Sequence, residues 1–235
     1  MLSADSFLRS VLALRPAIAV FDCDGTLWSN NSGEDFFYWS LDQGLVSDDV
    51  VRWAKARYDQ YRAGEVSEET MCGEMTTMYE GLRVSDLESA AERFFRTFVR
   101  PNYFLEMQQL TLALRDQGCE LWAVSSTNEW VIGEGIKDFG IPAAHMLAAT
   151  AECPNGVISA KLTRMPSGEG KAVAIREVIG KPVDAVFGNS IHDAAMLRLA
   201  RHAFAINPNP DLETIAKQNG WIIYWPQAVA SRQSV

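Results

Sequence analysis

The sequence predicts an α/β protein, a Rossmann-like and mostly parallel sheet with an α-helical bundle inserted after its first strand. Three observations carry this. Short apolar runs alternate with helical patterns along the outer parts of the chain, strands vanish between residues 29 and 102, and the first strand runs straight into "DCDGTLW". Alternating short strands and helices are the pattern of a parallel sheet covered on both faces.

Strands are expected at "AIAVF" (17–21), "LWAV" (121–124), "MLAA" (146–149), "DAVFG" (184–188), "AFAI" (203–206) and "WIIYW" (221–225). After the third of these, "ECPNGVISAKL" (152–162) carries Pro154-Asn155-Gly156, turn chemistry that predicts a small antiparallel hairpin. Where strands are missing, Ser32-Gly33-Glu34-Asp35 and Ser85-Asp86-Leu87-Glu88 read as capping boxes and Ser47 and Ser67 as weaker caps. Gly44, Gly64 and Gly81 mark the stops, so four helices are expected, with Pro101 at the return. The division this implies is a core domain of residues 1–28 and 103–235 and a helical cap domain of residues 29–102.

With 48% hydrophobic residues among 235, the chain can bury a real core. Its net charge of −9 and lack of a basic run argue against nucleic acid or an anionic membrane surface as partners. The opening "MLSADSFLRSVLALRP" has no basic start, and no run nears about 18 apolar residues, so neither a leader nor a membrane span is expected. Cys23, Cys72, Cys119 and Cys153 form no CxxC pair and read as reduced thiols of a cytoplasmic protein. His145, His192 and His202 have no partners spaced for a zinc site.

Asp22 and Asp24 stand where the first strand ends, and a parallel sheet places its chemistry beyond the carboxyl ends of its strands. Residues two apart on an extended chain point the same way, so both carboxylates can face one pocket while Cys23 points away. Gly25 then allows a tight turn whose amides face an anion.

"DCDGTLW" resembles the first motif of the haloacid dehalogenase superfamily of phosphohydrolases, and three more elements follow in that family's order. Ser125 in "LWAVSSTNEW" resembles the second motif, Lys171 in "GEGKAVAIREV" the third, and "VFGNSIHDAAML" the fourth, usually Gly-Asp-x-x-x-Asp. The late hairpin and "AINPNPDLETIAKQNGWIIYWP" look like the phosphoserine phosphatase-like branch. The resemblance implies a magnesium-dependent phosphomonoesterase acting on a small-molecule phosphate ester through an aspartyl phosphate. Asp22 would be the nucleophile and Asp24 the general acid and base; Ser125, the Ser126 amide and Lys171 would contact the phosphoryl oxygens. A magnesium ion (Mg2+) would be held by Asp22, the Asp24 carbonyl and the fourth-motif positions Asn189 and Asp193.

Asn189 stands where the family usually has Asp, and an amide oxygen brings no charge to a metal. A metal-independent haloacid dehalogenase-type hydrolase and a weakened phosphate- or metabolite-binding protein are the alternatives. The presence of Asp24 places the phosphatase ahead of the dehalogenase. Keeping a nucleophile, a proton donor, Ser125 and Lys171 speaks against mere binding.

By the same resemblance, a cap glutamate and a later cap arginine grip the amino acid in the phosphoserine phosphatase branch. Glu34 or Asp35 matches the first, but residues 68–82 contain no arginine and instead Met71, Met75 and Met78, so phosphoserine is expected to be a poor substrate. Residues 29–102 hold 14 acidic and 8 basic side chains, six of the nine net negative charges. Phe36, Phe37, Tyr38, Trp39, Trp53, Tyr58 and Tyr61 are expected mainly as helix-packing core. If one or two line the site, an amine-bearing or choline-like phosphate is favoured.

Overall fold

The computed structural model describes residues 2–230. The opening stretch, which the sequence reading weighed only as a leader, is helix α1 (Ala4–Ala13), started by Ser3, whose side chain accepts the Ser6 amide. Its Phe7 is fully buried and stacks on Tyr224 at 3.9 Å, so α1 covers one face of the sheet.

Strand β1 (Ile18–Phe21) leads to four helices, α2 (Ser32–Asp42), α3 (Asp48–Arg62), α4 (Glu68–Thr77) and α5 (Val84–Phe94), the last continuing into a π-helical turn at Phe95–Val99. Then come α6 (Leu105–Asp116), β2 (Glu120–Asn128), α7 (Glu129–Asp138), β3 (Met146–Ala151), β4 (Leu162–Arg164) and α8 (Glu169–Ala174). The chain continues through β5 (Ala185–Gly188), α9 (Ala194–Leu197), β6 (His202–Ile206), α10 (Pro210–Asn219), β7 (Ile222–Tyr224) and α11 (Gln227–Ala230). The sheet order is β4-β3-β2-β1-β5-β6-β7, parallel except for β4 against β3.

Side chains of β1 alternate between two apolar layers. Ala19 and Phe21 join the larger core with α1 and the inserted helices, Ile18 and Val20 the smaller one with α8 and α10. Cys23 is fully buried in the larger layer, as the alternation requires.

Ser47 and Ser67 cap α3 and α4 through their side chains. The two capping boxes do not form as read. Asn31 caps α2 by accepting the Glu34 amide at 3.2 Å, while the Ser32 amide is drawn to Asp24. Helix α5 starts at Val84 without a side-chain cap because Arg83 is paired with Val157 in an isolated bridge, flanked by Gly81 N to Ile158 O and Ile158 N to Leu82 O, each 2.9 Å. The same tie alters the hairpin. The ladder joins Thr150 to Arg164 and Ala151 to Leu162, and Pro154–Gly156 is a 3-10 turn within a wide loop whose Ile158 is buried against the helices.

Candidate active site

Five strand ends and loops converge above the middle of the sheet on a cavity of about 400 Å³. Asp22, Asp24, Glu34, Ser125, Ser126, Lys171 and Asn189 all line it; Asp193 lies just behind.

Asp22 leaves the end of β1, its amide bonded to the Phe187 carbonyl of β5 at 2.9 Å. Its Oδ1 accepts Lys171 Nζ at 2.7 Å and its Oδ2 accepts the Thr26 hydroxyl at 3.1 Å, which leaves a lone pair on each oxygen for the cavity. Lys171, 2% exposed, also donates to Asp193 Oδ1 at 2.6 Å. Asp193 Oδ2 accepts the amides of Asn189 and Ser190 at 2.8 and 2.9 Å. Asp193 thus holds Lys171 and orders the loop that carries Asn189.

Burial pushes the Asp22 carboxyl up, the Asp193 charge adds to this, and Lys171 pulls it back, leaving it at about 7. Burial also works against the Lys171 charge, but Asp193 and Asp22 together outweigh it and hold the ammonium well above the usual lysine range.

Asp24 is fixed from three sides. Its Oδ1 accepts Trp28 Nε1 and the Ser32 amide, both at 2.7 Å, and its Oδ2 accepts the Thr127 hydroxyl at 2.7 Å. The Ser32 amide is one of the donors that the first turn of α2 cannot bond internally. An added Cβ at Gly33 would stand 2.4 Å from Thr127 Oγ1, so the close seating of α2 requires glycine there.

Ser125, Ser126 and Thr127 reach the cavity through a bulge. β2 pairs Val124 with Leu147 and then Asn128 with Ala149, which places extra residues of β2 between two ladder positions. Asn128 then caps α7 by accepting the Val131 amide at 3.0 Å. Gly25 has φ 73°, and a Cβ there would come within 1.9 Å of Asn189 Nδ2, so the turn after Asp24 and the fourth motif touch.

The inserted helices close the cavity from above. Glu68 of α4 accepts the Ser167 hydroxyl at 2.9 Å and pairs with His192 Nε2 at 2.5 Å, joining α4 to the segments that carry Lys171 and Asn189. The Glu68 bond raises the His192 pKa against the opposing effect of burial. Sequence reading missed Glu68, His192, Ser167, Thr26 and Thr127. Thr26 bonds Asp22 only four residues away within the quoted "DCDGT", whereas the others bond across long separations that no local spacing marks.

Two carboxylates above a parallel sheet, a buried lysine and a helical cover thus meet at one cavity. Residues 19–198 match the model of the haloacid dehalogenase-like hydrolases, and the chain belongs to that family. It is 28% identical over 228 residues to a probable phosphatase of Mycobacterium tuberculosis, covering 92% of this chain and 78% of the relative. It is 23% identical over 215 residues to a histidinol-phosphatase of Neisseria meningitidis, covering 87% and 96%. A phosphoserine phosphatase solved as a phospho-aspartyl intermediate analogue shares the fold, with a TM-score of 0.56 at 16% identity over 84% of this chain and 90% of that one. The protein is a phosphatase of this family with a phosphoserine phosphatase-like fold. No helix among the described residues is long and apolar enough to cross a membrane.

Proposed function

We propose that the protein is a magnesium-dependent phosphomonoesterase that hydrolyses a small-metabolite phosphate ester by way of a phosphoryl group carried on Asp22. The observation that carries this reading is the placement of Asp22 and Asp24 on one cavity, with Lys171 bonded to the first at 2.7 Å. Residues 29–102 serve as the cap of that cavity.

Asp22 attacks phosphorus with the lone pair that Lys171 and Thr26 leave free, and the bond to the leaving alkoxide breaks. Asp24 gives that alkoxide a proton from Oδ2, the oxygen aimed by Thr127, and then takes one from the water that frees phosphate and restores Asp22. Lys171, the Ser125 hydroxyl and the Ser126 amide meet the phosphoryl oxygens, where charge develops.

Two carboxylates and a phosphate dianion repel one another, so the reading calls for a cation beyond Lys171. Among the described residues no three His, Cys, Asp or Glu side chains cluster to hold one. The residues that would hold one offer hard oxygens, namely the Asp22 carboxylate, the Asp24 carbonyl and the Asn189 amide, with Asp193 behind them. Magnesium needs few protein ligands of this kind. The fit rests on Asn189, whose main-chain carbonyl accepts the Asn209 amide at 2.8 Å and whose side chain, against Gly25, is committed to no hydrogen bond among the described residues. When bound, the ion neutralises phosphate charge and helps orient the ester.

Two outcomes test this. Asp24→Asn slows alkyl phosphate esters by about 10²- to 10⁴-fold and 4-nitrophenyl phosphate far less, because a good leaving group needs little protonation. Equal slowing of both contradicts the role of Asp24. Chloride release from 2-chloropropionate with no ester hydrolysed would put the dehalogenase alternative in its place. Asn189→Asp adds a charge beside the ion and tightens magnesium about tenfold or more, allowing for its own desolvation. Calorimetric titration of magnesium checks this, and superimposed isotherms remove Asn189 from the metal shell.

A further inference from the structure

The cap half of the cavity differs from its core half. Tyr58 and Tyr61 of α3, Met71 and Met75 of α4, Glu34 of α2 and Asn30 line it. The Tyr58 and Tyr61 rings meet at 61° with centroids 5.6 Å apart, an aromatic corner. Glu34 stands against the Tyr58 hydroxyl and, with burial, keeps that phenol protonated as a donor to the carboxylate. Asn30 gives its amide nitrogen to Asp35 at 2.8 Å at the rim of the cavity.

Cations are scarce there. The lining has only Lys171 and His192, and both are already paired, Lys171 with Asp22 and Asp193 and His192 with Glu68. Arg62 bonds the Tyr58 hydroxyl but is exposed and does not line the cavity. A carboxylate on the alcohol portion of a substrate would therefore meet Glu34 with nothing to neutralise it. A positive nitrogen would meet a carboxylate and two aromatic rings, the combination that recognises organic ammonium groups.

We infer that this cavity selects phosphate esters of cationic alcohols, those that carry an ammonium or comparable positive nitrogen and no carboxylate, through Glu34 and the Tyr58–Tyr61 corner. The inference rests on the phosphomonoesterase reading and narrows its substrate.

The test compares kcat/KM of the wild-type enzyme for 2-aminoethyl phosphate and choline phosphate with that for their neutral isosteres, propyl phosphate and 3,3-dimethylbutyl phosphate, and with phosphoserine. 4-Nitrophenyl phosphate reports hydrolysis as such. The cationic esters are expected to exceed their isosteres and phosphoserine by about tenfold or more, one charged contact's worth. In Glu34→Gln and in Tyr61→Leu the ratio of cationic to neutral ester falls toward one, a readout that a loss of fold or of catalysis does not imitate. Equal rates for cationic and neutral esters, or phosphoserine as the best substrate, overturn the inference while the phosphatase reading stands. Failure to hydrolyse any ester, 4-nitrophenyl phosphate included, overturns both.

Discussion

Asp22→Asn is expected to abolish turnover, by at least about 10⁴-fold, because removing the nucleophile of a covalent mechanism removes the step itself. The fold survives the change. Asn is nearly isosteric, it can still accept from Thr26 or Lys171, and Asp193 remains to pair with Lys171 at 2.6 Å. The substitution also has a sign for stability. The Asp22 carboxyl is raised in the folded protein from 3.8 to about 7, so between those values the native state binds the extra proton and ionisation there weakens folding as pH rises. Asn lacks that ionisation. At pH 8 and with chelator present, the variant is expected to melt at or above the wild-type temperature, and the difference narrows toward pH 4. Full activity in Asp22→Asn contradicts the mechanism, and a large drop in melting temperature contradicts the account of the buried pair.

Lys171→Met has the second large effect, on stability as well as on rate. Lys171 and Asp22 are 2% and 5% exposed and Asp193 is fully buried, so the lysine is the cation for two buried carboxylates. Breaking a buried ion pair from one side costs about 3–5 kcal/mol, since the remaining charge is left unpaired. In Lys171→Met the Asp22 carboxyl, already raised, rises further, so the loss is largest above its folded-state pKa and is relieved as pH falls and it protonates. Urea unfolding at pH 8 and pH 5 measures this. A deficit that is large at pH 8 and smaller at pH 5 is expected, together with loss of ester hydrolysis. Wild-type stability at pH 8 would show that Lys171 does not carry the electrostatics of the site.

The strands were legible because each is a short apolar run closed by a turn or a helix start, and all six fall within one or two residues of their expected positions except β2. That strand extends to Asn128 because its last residues are polar, and the bulge that presents Ser125 to Thr127 depends on pairing with β3, which no local pattern encodes. Helix starts were legible where one side chain decides them, at Ser47 and Ser67. They were misplaced at α2 and α5, where Asp24 and the Arg83–Val157 bridge, both tertiary, decide the entry. Of the inserted aromatics Phe36, Phe37 and Tyr58 are buried in the core and Trp39 and Tyr61 pack against it, whereas Tyr38 and Trp53 are exposed against expectation; Tyr58 and Tyr61 also line the cavity. The site's eight expected residues share a family order and so could be named together. Thr127 and Glu68 could not, because their partners lie 103 residues away at Asp24 and 99 away at Ser167.

The central claim is that phosphate passes through a covalent bond to Asp22, and acid-quenched mass spectrometry tests it most directly. Enzyme mixed with a rapidly hydrolysed ester and quenched before one turnover is digested and its peptides weighed. The account predicts that the peptide containing Asp22 gains the mass of one phosphoryl group in the wild type and in Asp24→Asn, where the intermediate persists longer, and in no sample of Asp22→Asn. Turnover by the wild type with that peptide unmodified at every quench time, or a phosphoryl group found on another residue in its place, would contradict it.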